Sequence, residues 1–191
     1  MSFEARDICT VILAGGRGRR MQGQDKGLLL WQGRPLIEHV MDALHSDPQR
    51  TLISANRNLQ RYRQYGLPVI SDELDDFQGP LAGMLAAMRH CSADYLLCLP
   101  CDSPQPPDAL PQRLHRCMVE ADSQLAICHD GQRQQPLFAL LAMSVQPALE
   151  QYLVAGHRKV QDFFAAQQAA ICDFSDQADR FRNFNSPEDM Q

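Results

Sequence analysis

Residues 8–27 read ICTVILAGGRGRRMQGQDKG, and this stretch decides the fold class. Its first six residues are apolar or β-branched, which predicts a buried strand that ends at Leu13. A loop rich in glycine and arginine follows at once. Glycine lets backbone N–H groups approach an anion, and arginine and lysine complement phosphate oxygens. The pattern therefore predicts a phosphate site at the carboxyl end of a first strand, where open α/β sheets bind ligands.

Two common phosphate motifs do not fit this loop. A Walker loop requires a Gly-Lys pair, and the segment contains only Lys26-Gly27 in the reverse order. The dinucleotide fingerprint G-x-G-x-x-G would begin at Gly16 and needs a glycine where Met21 stands. The remaining alternative is a solvated surface loop. Three arginines and a lysine directly after a buried strand favour the anion site instead.

Composition limits the class of protein. A chain of 191 residues suffices for one α/β domain, and we expect a single domain over residues 1–191. The net charge of −5 disfavours a broad nucleic-acid surface. No apolar run reaches membrane-spanning length, and the first residues lack a signal-peptide pattern. We expect a cytoplasmic monomer without nucleic-acid or membrane partners.

The cysteines are predicted to be structural. There are seven, at positions 9, 91, 98, 101, 117, 128 and 172, mostly within apolar segments. In a reducing compartment they are most simply buried small hydrophobic residues. Cys98 and Cys101 form a C-x-x-C pattern, but a proline-rich loop follows instead of a helix, and no second ligand pair completes a metal set.

Short apolar runs alternate with amphipathic stretches along the chain, which is typical of βαβ units. Asp130-Gly131 predicts a hairpin and therefore one antiparallel strand pair. We predict a three-layer α/β/α domain with a mostly parallel sheet. The predicted strands are 9–13, 51–55, 68–71, 95–99, 125–129, 136–143 and 170–174, and the predicted helices are 35–45, 59–65, 81–90, 107–119, 145–154 and 160–166.

Polar residues follow several predicted strands. Asp102 emerges from an apolar strand, and Mg²⁺ prefers one or two carboxylates together with substrate phosphate oxygens. The alternative is a turn-forming aspartate before proline. Asp72 also follows a strand directly, within an acidic loop. Ser54 and Asn56 follow the second strand, where they can either contact a base or ribose or cap the next helix.

Two weaker signals lie late in the chain. Arg158 belongs to a basic turn between two predicted helices, which is either solvated or a second anion contact. Asn183 and Asn185 precede a helix-start pattern at Ser186-Pro187, yet few residues remain for a helix. A binding role for the two asparagines is therefore more attractive than a capping role.

The combination LAGG-x-x-x-RM, DKG, GPLAG, PCD and N-x-N-S-P-E resembles the molybdenum cofactor guanylyltransferases of bacteria. The resemblance spans nearly the whole chain and implies a Rossmann-like nucleotidyltransferase fold. It also implies that Arg20, Lys26 and Asp102 are catalytic, with Mg²⁺ held by Asp102. Arg158, Asn183 and Asn185 match positions on the molybdopterin side of the cleft. The implied GTP contacts are Leu13, Ala14, Gly15, Gly16, Lys26, Ser54, Asp72 and Asp102.

The reaction implied by the resemblance transfers GMP from GTP to the terminal phosphate of the molybdenum-molybdopterin cofactor and releases pyrophosphate. Molybdoenzymes or cofactor-delivery proteins are implied as transient partners. Ser54 stands where well-known members carry asparagine, so Asn56 remains an alternative contact. A cytidylyl or sugar-phosphate nucleotidyltransferase is the nearest rival, and it is disfavoured by Gly15 because cytidylyl relatives usually read LAAG. Lys26 and Asp102 disfavour a cofactor-delivery adaptor without chemistry.

Overall fold

The computed structural model describes residues 7–15, 25–44, 48–72 and 79–184. Among these residues, no helix is long and apolar enough to cross a membrane. The strands are β1 (Ile8–Leu13), β2 (Leu30–Trp31), β3 (Arg34–Pro35), β4 (Thr51–Ser54), β5 (Val69–Ile70), β6 (Tyr95–Pro100), β7 (Leu125–His129), β8 (Gln134–Ala142) and β9 (Ala170–Asp173). The α-helices are α1 (Leu36–Leu44), α2 (Leu59–Arg63), α3 (Pro80–His90), α4 (Leu110–Glu120), α5 (Gln146–Val154) and α6 (Val160–Ala166).

Seven of the described strands form one mixed sheet in the order β5-β4-β1-β6-β8-β7-β9. β1 is parallel to both of its neighbours, β4 and β6. The predicted hairpin is present as β7–β8, and β8 is also antiparallel to β6. The sheet is therefore mostly parallel, as predicted, with β8 reversed against both strands beside it. This confirms the predicted α/β fold class.

Side chains on the two faces of the sheet form two separate apolar layers. Along β1, Ile8 and Ile12 pack on the face covered by α1, α2 and α4. Val11 and Leu13 pack on the opposite face, which is covered by α3, α5 and α6. This alternation follows from the two-residue period of a strand. Burying one such aliphatic side chain stabilises the fold by about 1.5–3 kcal/mol.

The structure differs from the sequence prediction in the short elements. The β2–β3 hairpin was not predicted, because each strand has only two residues. Its turn residues, Gln32 and Gly33, both have positive φ, as a tight two-residue hairpin requires. Helix α4 begins at Leu110 and not at residue 107, since Ala109 is in the left-handed conformation. The loop between β6 and α4 is therefore longer than predicted.

The prediction for the cysteines is wrong for four of the seven. The structure joins Cys9 to Cys91 and Cys117 to Cys172 as disulfides. Parallel pairing of β1 and β6 brings the start of β1 beside the end of α3, and α4 packs on β9. The paired cysteines lie 82 and 55 residues apart in the sequence, so no local pattern indicates either pair. The cysteines at 98, 101 and 128 are buried free thiols, as predicted.

Candidate active site

The candidate site is a cleft at the carboxyl ends of the central strands. The chain runs from β1 to β4 and β5 on one side, and β6 lies on the other side of β1. Such a reversal of strand order opens a crevice, here between β1 and β6. Leu13 is in register with Pro100, so the residues after both strands face each other. The lining residues are Leu13, Ala14, Gly15, Asp25, Lys26, Ser54, Asp72, Gly79, Pro80, Gly83, Pro100, Cys101, Asp102 and Leu137.

Lys26 and Asp102 form an ion pair in this cleft. Lys26 Nζ donates to Asp102 Oδ2 over 2.8 Å. The Lys26 side chain is 32% exposed and that of Asp102 is 13% exposed, so both charges lie at the rim of the cleft. Asp102 is held just after the end of β6, and Lys26 begins a 3-10 helix, Lys26–Leu28, that packs beside Cys101. The structure thus brings together two charges that the sequence predicted as catalytic.

Asp25 fixes the segment that carries Lys26. Its carboxylate is buried and accepts hydrogen bonds from Tyr62 Oη at 2.5 Å and from Asn58 Nδ2 at 3.0 Å. A side chain at Gly27 would have its Cβ 2.7 Å from Tyr62 Oη, so only glycine fits there. In the DKG motif, aspartate thus anchors the segment, lysine reaches the cleft and glycine leaves room for the anchor.

The anchoring role of Asp25 was not predicted. The DKG motif pointed to Lys26 alone, and the partners of Asp25 lie more than thirty residues away along the chain. Asn58 adopts a left-handed conformation immediately before α2, a position that asparagine tolerates well. Burial and the neighbouring Asp25 carboxylate raise the pKa of Tyr62, so its hydroxyl remains a proton donor.

We expect Tyr62→Phe to lower the free energy of unfolding by about 1.5–3 kcal/mol, because it removes a hydrogen bond to a buried charged group. The measurement is urea unfolding followed by circular dichroism. Tyr65→Phe is the matched control, since the Tyr65 hydroxyl has no hydrogen bond with the described residues and lies nearby on the same segment. Equal stability of the two variants would contradict the anchoring role.

Asn56 and Asp72 form a second polar pair on the β4–β5 side of the cleft. Asn56 Nδ2 donates to Asp72 Oδ2 over 2.8 Å, and the Asp72 backbone N–H donates to Asn56 Oδ1 over 2.9 Å. Burial raises the pKa of Asp72, and the hydrogen bond from Asn56 partly offsets that shift. A Cβ at Gly15 would lie 3.1 Å from Asn56 Nδ2, so Asn56 borders the end of β1.

Ser54 occupies a different environment from Asn56. It lines the cleft but is only 2% exposed, beneath the first turn of α3. A Cβ at Gly83 would lie 2.5 Å from Ser54 Oγ and 3.1 Å from Leu13 Cδ2. Gly83 thus lets α3 pack directly on β4 and β1. Ser54 is the last residue of β4 and Asn56 follows the strand; of the two, Asn56 is the more exposed and is hydrogen-bonded to Asp72.

Gly83→Ala is expected to lower the free energy of unfolding by about 1–3 kcal/mol, because the added methyl group overpacks the contact between α3 and β4. Chemical unfolding measures this loss. The double variant Ser54→Ala/Gly83→Ala is expected to recover part of it, since the first substitution removes the oxygen that the methyl group meets. This packing would be contradicted if the double variant lost as much free energy of unfolding as the two single variants lose in sum.

The C-terminal segment lies against the loop that carries Asp102. Ser103 Oγ donates to Asn183 Oδ1 at 2.5 Å, and the Phe184 backbone N–H donates to Asp102 O at 2.9 Å. Asn183 therefore lies against the loop that carries Asp102, and its role on the molybdopterin side of the cleft stays a prediction. Arg158 lies on the turn after α5, where its guanidinium donates to Leu153 O at 2.6 Å and caps that helix. It is not among the residues that line the cleft.

Three of the predicted site residues, Gly16, Arg20 and Asn185, lie outside the described residues. Within the described residues, no group of three or more His, Cys, Asp or Glu side chains could hold a metal ion. A single carboxylate at Asp102 is nevertheless compatible with Mg²⁺, which commonly binds one or two carboxylates and completes its shell with water and substrate phosphates. The donor set therefore fits a metal that arrives with a nucleotide.

Comparisons with known proteins find relatives that match nearly the whole chain. A molybdenum cofactor guanylyltransferase of Shewanella loihica is 44% identical over 184 residues, which cover 96% of this chain and 94% of the relative. One from Pasteurella multocida is 46% identical over 181 residues, with 95% and 96% covered. The structure of molybdopterin-guanine dinucleotide biosynthesis protein A from Archaeoglobus fulgidus superposes with a TM-score of 0.77 at 24% identity, covers 95% of this chain and 94% of that one, and supports the fold.

The family model described as the MobA-like NTP transferase domain matches residues 10–171, which include most of β1, the Lys26–Asp102 pair and most of the sheet. With that match and the identity to curated relatives, the resemblance noted from the motifs is confirmed. The chain belongs to the MobA-like NTP transferase family.

Proposed function

We propose that this protein transfers GMP from GTP to the terminal phosphate of the molybdenum-molybdopterin cofactor and releases pyrophosphate, which yields molybdopterin guanine dinucleotide. The observation that carries the proposal is the Lys26–Asp102 pair at the crevice between β1 and β6. A nucleoside triphosphate that binds along the end of β1 would bring its phosphates to this pair. The names of the relatives from Shewanella loihica and Pasteurella multocida support the guanylyl donor and the cofactor acceptor.

The proposed reaction needs no general base, because a phosphate oxygen of the acceptor is already ionised at neutral pH. That oxygen forms a bond to the α-phosphorus of GTP as the bond to pyrophosphate breaks. Lys26 neutralises charge that gathers on the leaving pyrophosphate, and Arg20 is proposed to assist it. Mg²⁺ held at Asp102 would supply further charge neutralisation when bound with the nucleotide. Catalysis then rests on positioning and electrostatic stabilisation.

Nucleotide recognition is proposed to involve the end of β1 and the Asn56–Asp72 pair. Leu13, Ala14 and Gly15 line the cleft with backbone that a ligand can approach closely. At Gly15 a Cβ would lie 3.1 Å from Asn56 Nδ2, so glycine lets this amide pack closely against the end of β1. We propose that the purine base binds in the cleft beside this contact, with Asp72 accepting hydrogen bonds from the nucleotide.

The experiment is pyrophosphate release with GTP or CTP, each with Mg²⁺ and molybdenum-loaded molybdopterin, and with the acceptor omitted as a control. Release that requires both GTP and the acceptor supports the proposal. Faster release with CTP would assign the protein to cytidylyl transfer instead. Nucleotide binding without release would favour a cofactor-delivery adaptor.

The remaining proposals concern the oligomeric state, the protein partners and the cellular location. We propose a monomer that contacts molybdoenzymes or cofactor-delivery proteins transiently, and size-exclusion chromatography with light scattering tests the first part. We also propose a cytoplasmic location. Disulfides are rare in reducing compartments, so the proposed location predicts that the cysteines of the pairs Cys9–Cys91 and Cys117–Cys172 are reduced in the cell. Thiol titration of denatured protein that was isolated without reductant tests this prediction. Seven reactive thiols support the cytoplasmic location, and fewer than seven contradict it.

A further inference from the structure

Two aromatic rings connect the chain segments that carry Lys26 and Asp102. Trp31 lies in the β2–β3 hairpin, shortly after Lys26 in the chain. Its ring centroid is 5.0 Å from that of Phe184, with the ring planes inclined by 52°. Tilted aromatic pairs at this distance attract each other beyond the effect of their buried area. We call this pair the aromatic clamp.

Each ring is fixed by contacts of its own. Phe184 is only 5% exposed, and Arg182 lies over its ring with 5.2 Å from Cζ to the centroid. His39 of α1 packs on Trp31 at 4.7 Å between centroids, and its Nε2–H donates to Trp31 O over 2.9 Å. The hairpin is therefore held against α1, and the C-terminal segment is held against the hairpin.

The contacts form a closed circuit around the catalytic charges. From Trp31 the circuit passes to Phe184, whose backbone N–H donates to Asp102 O over 2.9 Å. The Asp102 carboxylate then pairs with Lys26, and the chain returns from Lys26 to Trp31. Ser103 and Asn183 add a hydrogen bond between the same two segments. A displacement of either ring would therefore be transmitted to Asp102 or to Lys26.

We propose that Trp31 and Phe184 are positioning residues that fix Lys26 and Asp102 in place for attack of the acceptor phosphate on the α-phosphorus of GTP. The inference rests on the proposed function, because it assigns these rings a part in that same reaction. Neither residue touches the reacting atoms in this account. A misplacement of about 1 Å in a catalytic group can cost roughly 100-fold in rate, so even a small relaxation of the clamp has a large effect.

The test compares Trp31→Ala and Phe184→Ala with wild type for kcat and for the KM of GTP. We expect kcat to fall about tenfold in each variant while KM changes less than threefold, because the end of β1 still holds the nucleotide. The double variant should be no slower than the slower single variant, since the two rings act as one unit. Trp31→Phe should restore most of kcat because it keeps an aromatic ring against Phe184.

Leu30→Ala is the matched control, because Leu30 lies on the same hairpin, is 59% exposed and has no role in the clamp. It should leave kcat unchanged. Wild-type kcat in both alanine variants of the clamp would overturn the proposal. Should Phe184→Ala not fold, Trp31→Ala decides alone, since Trp31 is only half-buried.

Fluorescence tests the contact independently of turnover. Trp31 is the chain's single tryptophan, so all tryptophan emission reports on the clamp. Phe184→Ala should shift the emission to the red as water reaches the indole, and Leu30→Ala should not. An unshifted spectrum in Phe184→Ala would overturn the clamp itself. Wild-type protein that forms no dinucleotide would instead overturn the proposed function, even with the red shift present.

Discussion

Asp102→Asn is expected to lower kcat for pyrophosphate release by about 100- to 1000-fold, with the fold intact. The substitution keeps the size of the side chain and removes the charge that pairs with Lys26 and that is proposed to hold Mg²⁺. The loss of one preorganised electrostatic contact in a transition state typically costs ~2.7–4 kcal/mol, which corresponds to this range. Steady-state assays at saturating GTP and acceptor measure it.

Asp108→Asn provides the control for general effects of charge. Asp108 is exposed on the loop before α4, and its carboxylate lies 3.7 Å from Arg180, a surface ion pair that contributes little. We expect wild-type kcat for this variant. The role assigned to Asp102 fails if Asp102→Asn, folded by circular dichroism, keeps kcat within about threefold of wild type.

Lys26→Met is expected to lower kcat by a similar factor, about 100-fold or more, because it removes the ammonium group proposed to neutralise the leaving pyrophosphate. Methionine keeps much of the length of the side chain. The free energy of unfolding should change by no more than about 1 kcal/mol, since the ion pair is partly exposed to solvent. Unfolding and kinetic assays on the same preparation separate these effects.

Lys159 is the chain's other lysine, and Lys159→Met is the matched control for this substitution. Its ammonium group lies 3.7 Å from the Asp162 carboxylate in an exposed pair at the start of α6. The double variant Lys26→Met/Asp102→Asn should be scarcely slower than either single variant, because groups that act as a unit are not additive. Fully multiplicative losses would show that Lys26 and Asp102 act independently.

The seven strands of the central sheet and its mostly parallel character could be predicted because the strands are short apolar runs. Charged residues follow both β1 and β6 within a few positions, and parallel strands place their carboxyl ends at one edge. Lys26 and Asp102 were therefore predicted to converge although 76 residues separate them. The hairpin at Asp130-Gly131 was predicted from its turn chemistry, which is local.

The features that escaped prediction depend on tertiary contacts. The pairing of β8 with β6 cannot be derived from the β7–β8 turn, which fixes only one neighbour. The anchoring of Asp25 needs Tyr62, which reaches it only after α2 packs on the sheet. The contact of Trp31 with Phe184 joins two segments from opposite ends of the chain. Local patterns carry no signal for such pairs.

The central claim is that the GMP portion of GTP becomes part of the product. The most direct measurement uses GTP labelled with ³²P at the α-phosphate, together with Mg²⁺ and molybdenum-loaded molybdopterin. We predict that the label moves to a guanine dinucleotide of the cofactor in step with pyrophosphate release, and that Asp102→Asn slows the transfer by the same factor of about 100 to 1000. Label that remains in GTP, or that leaves only as free GMP, would contradict the account.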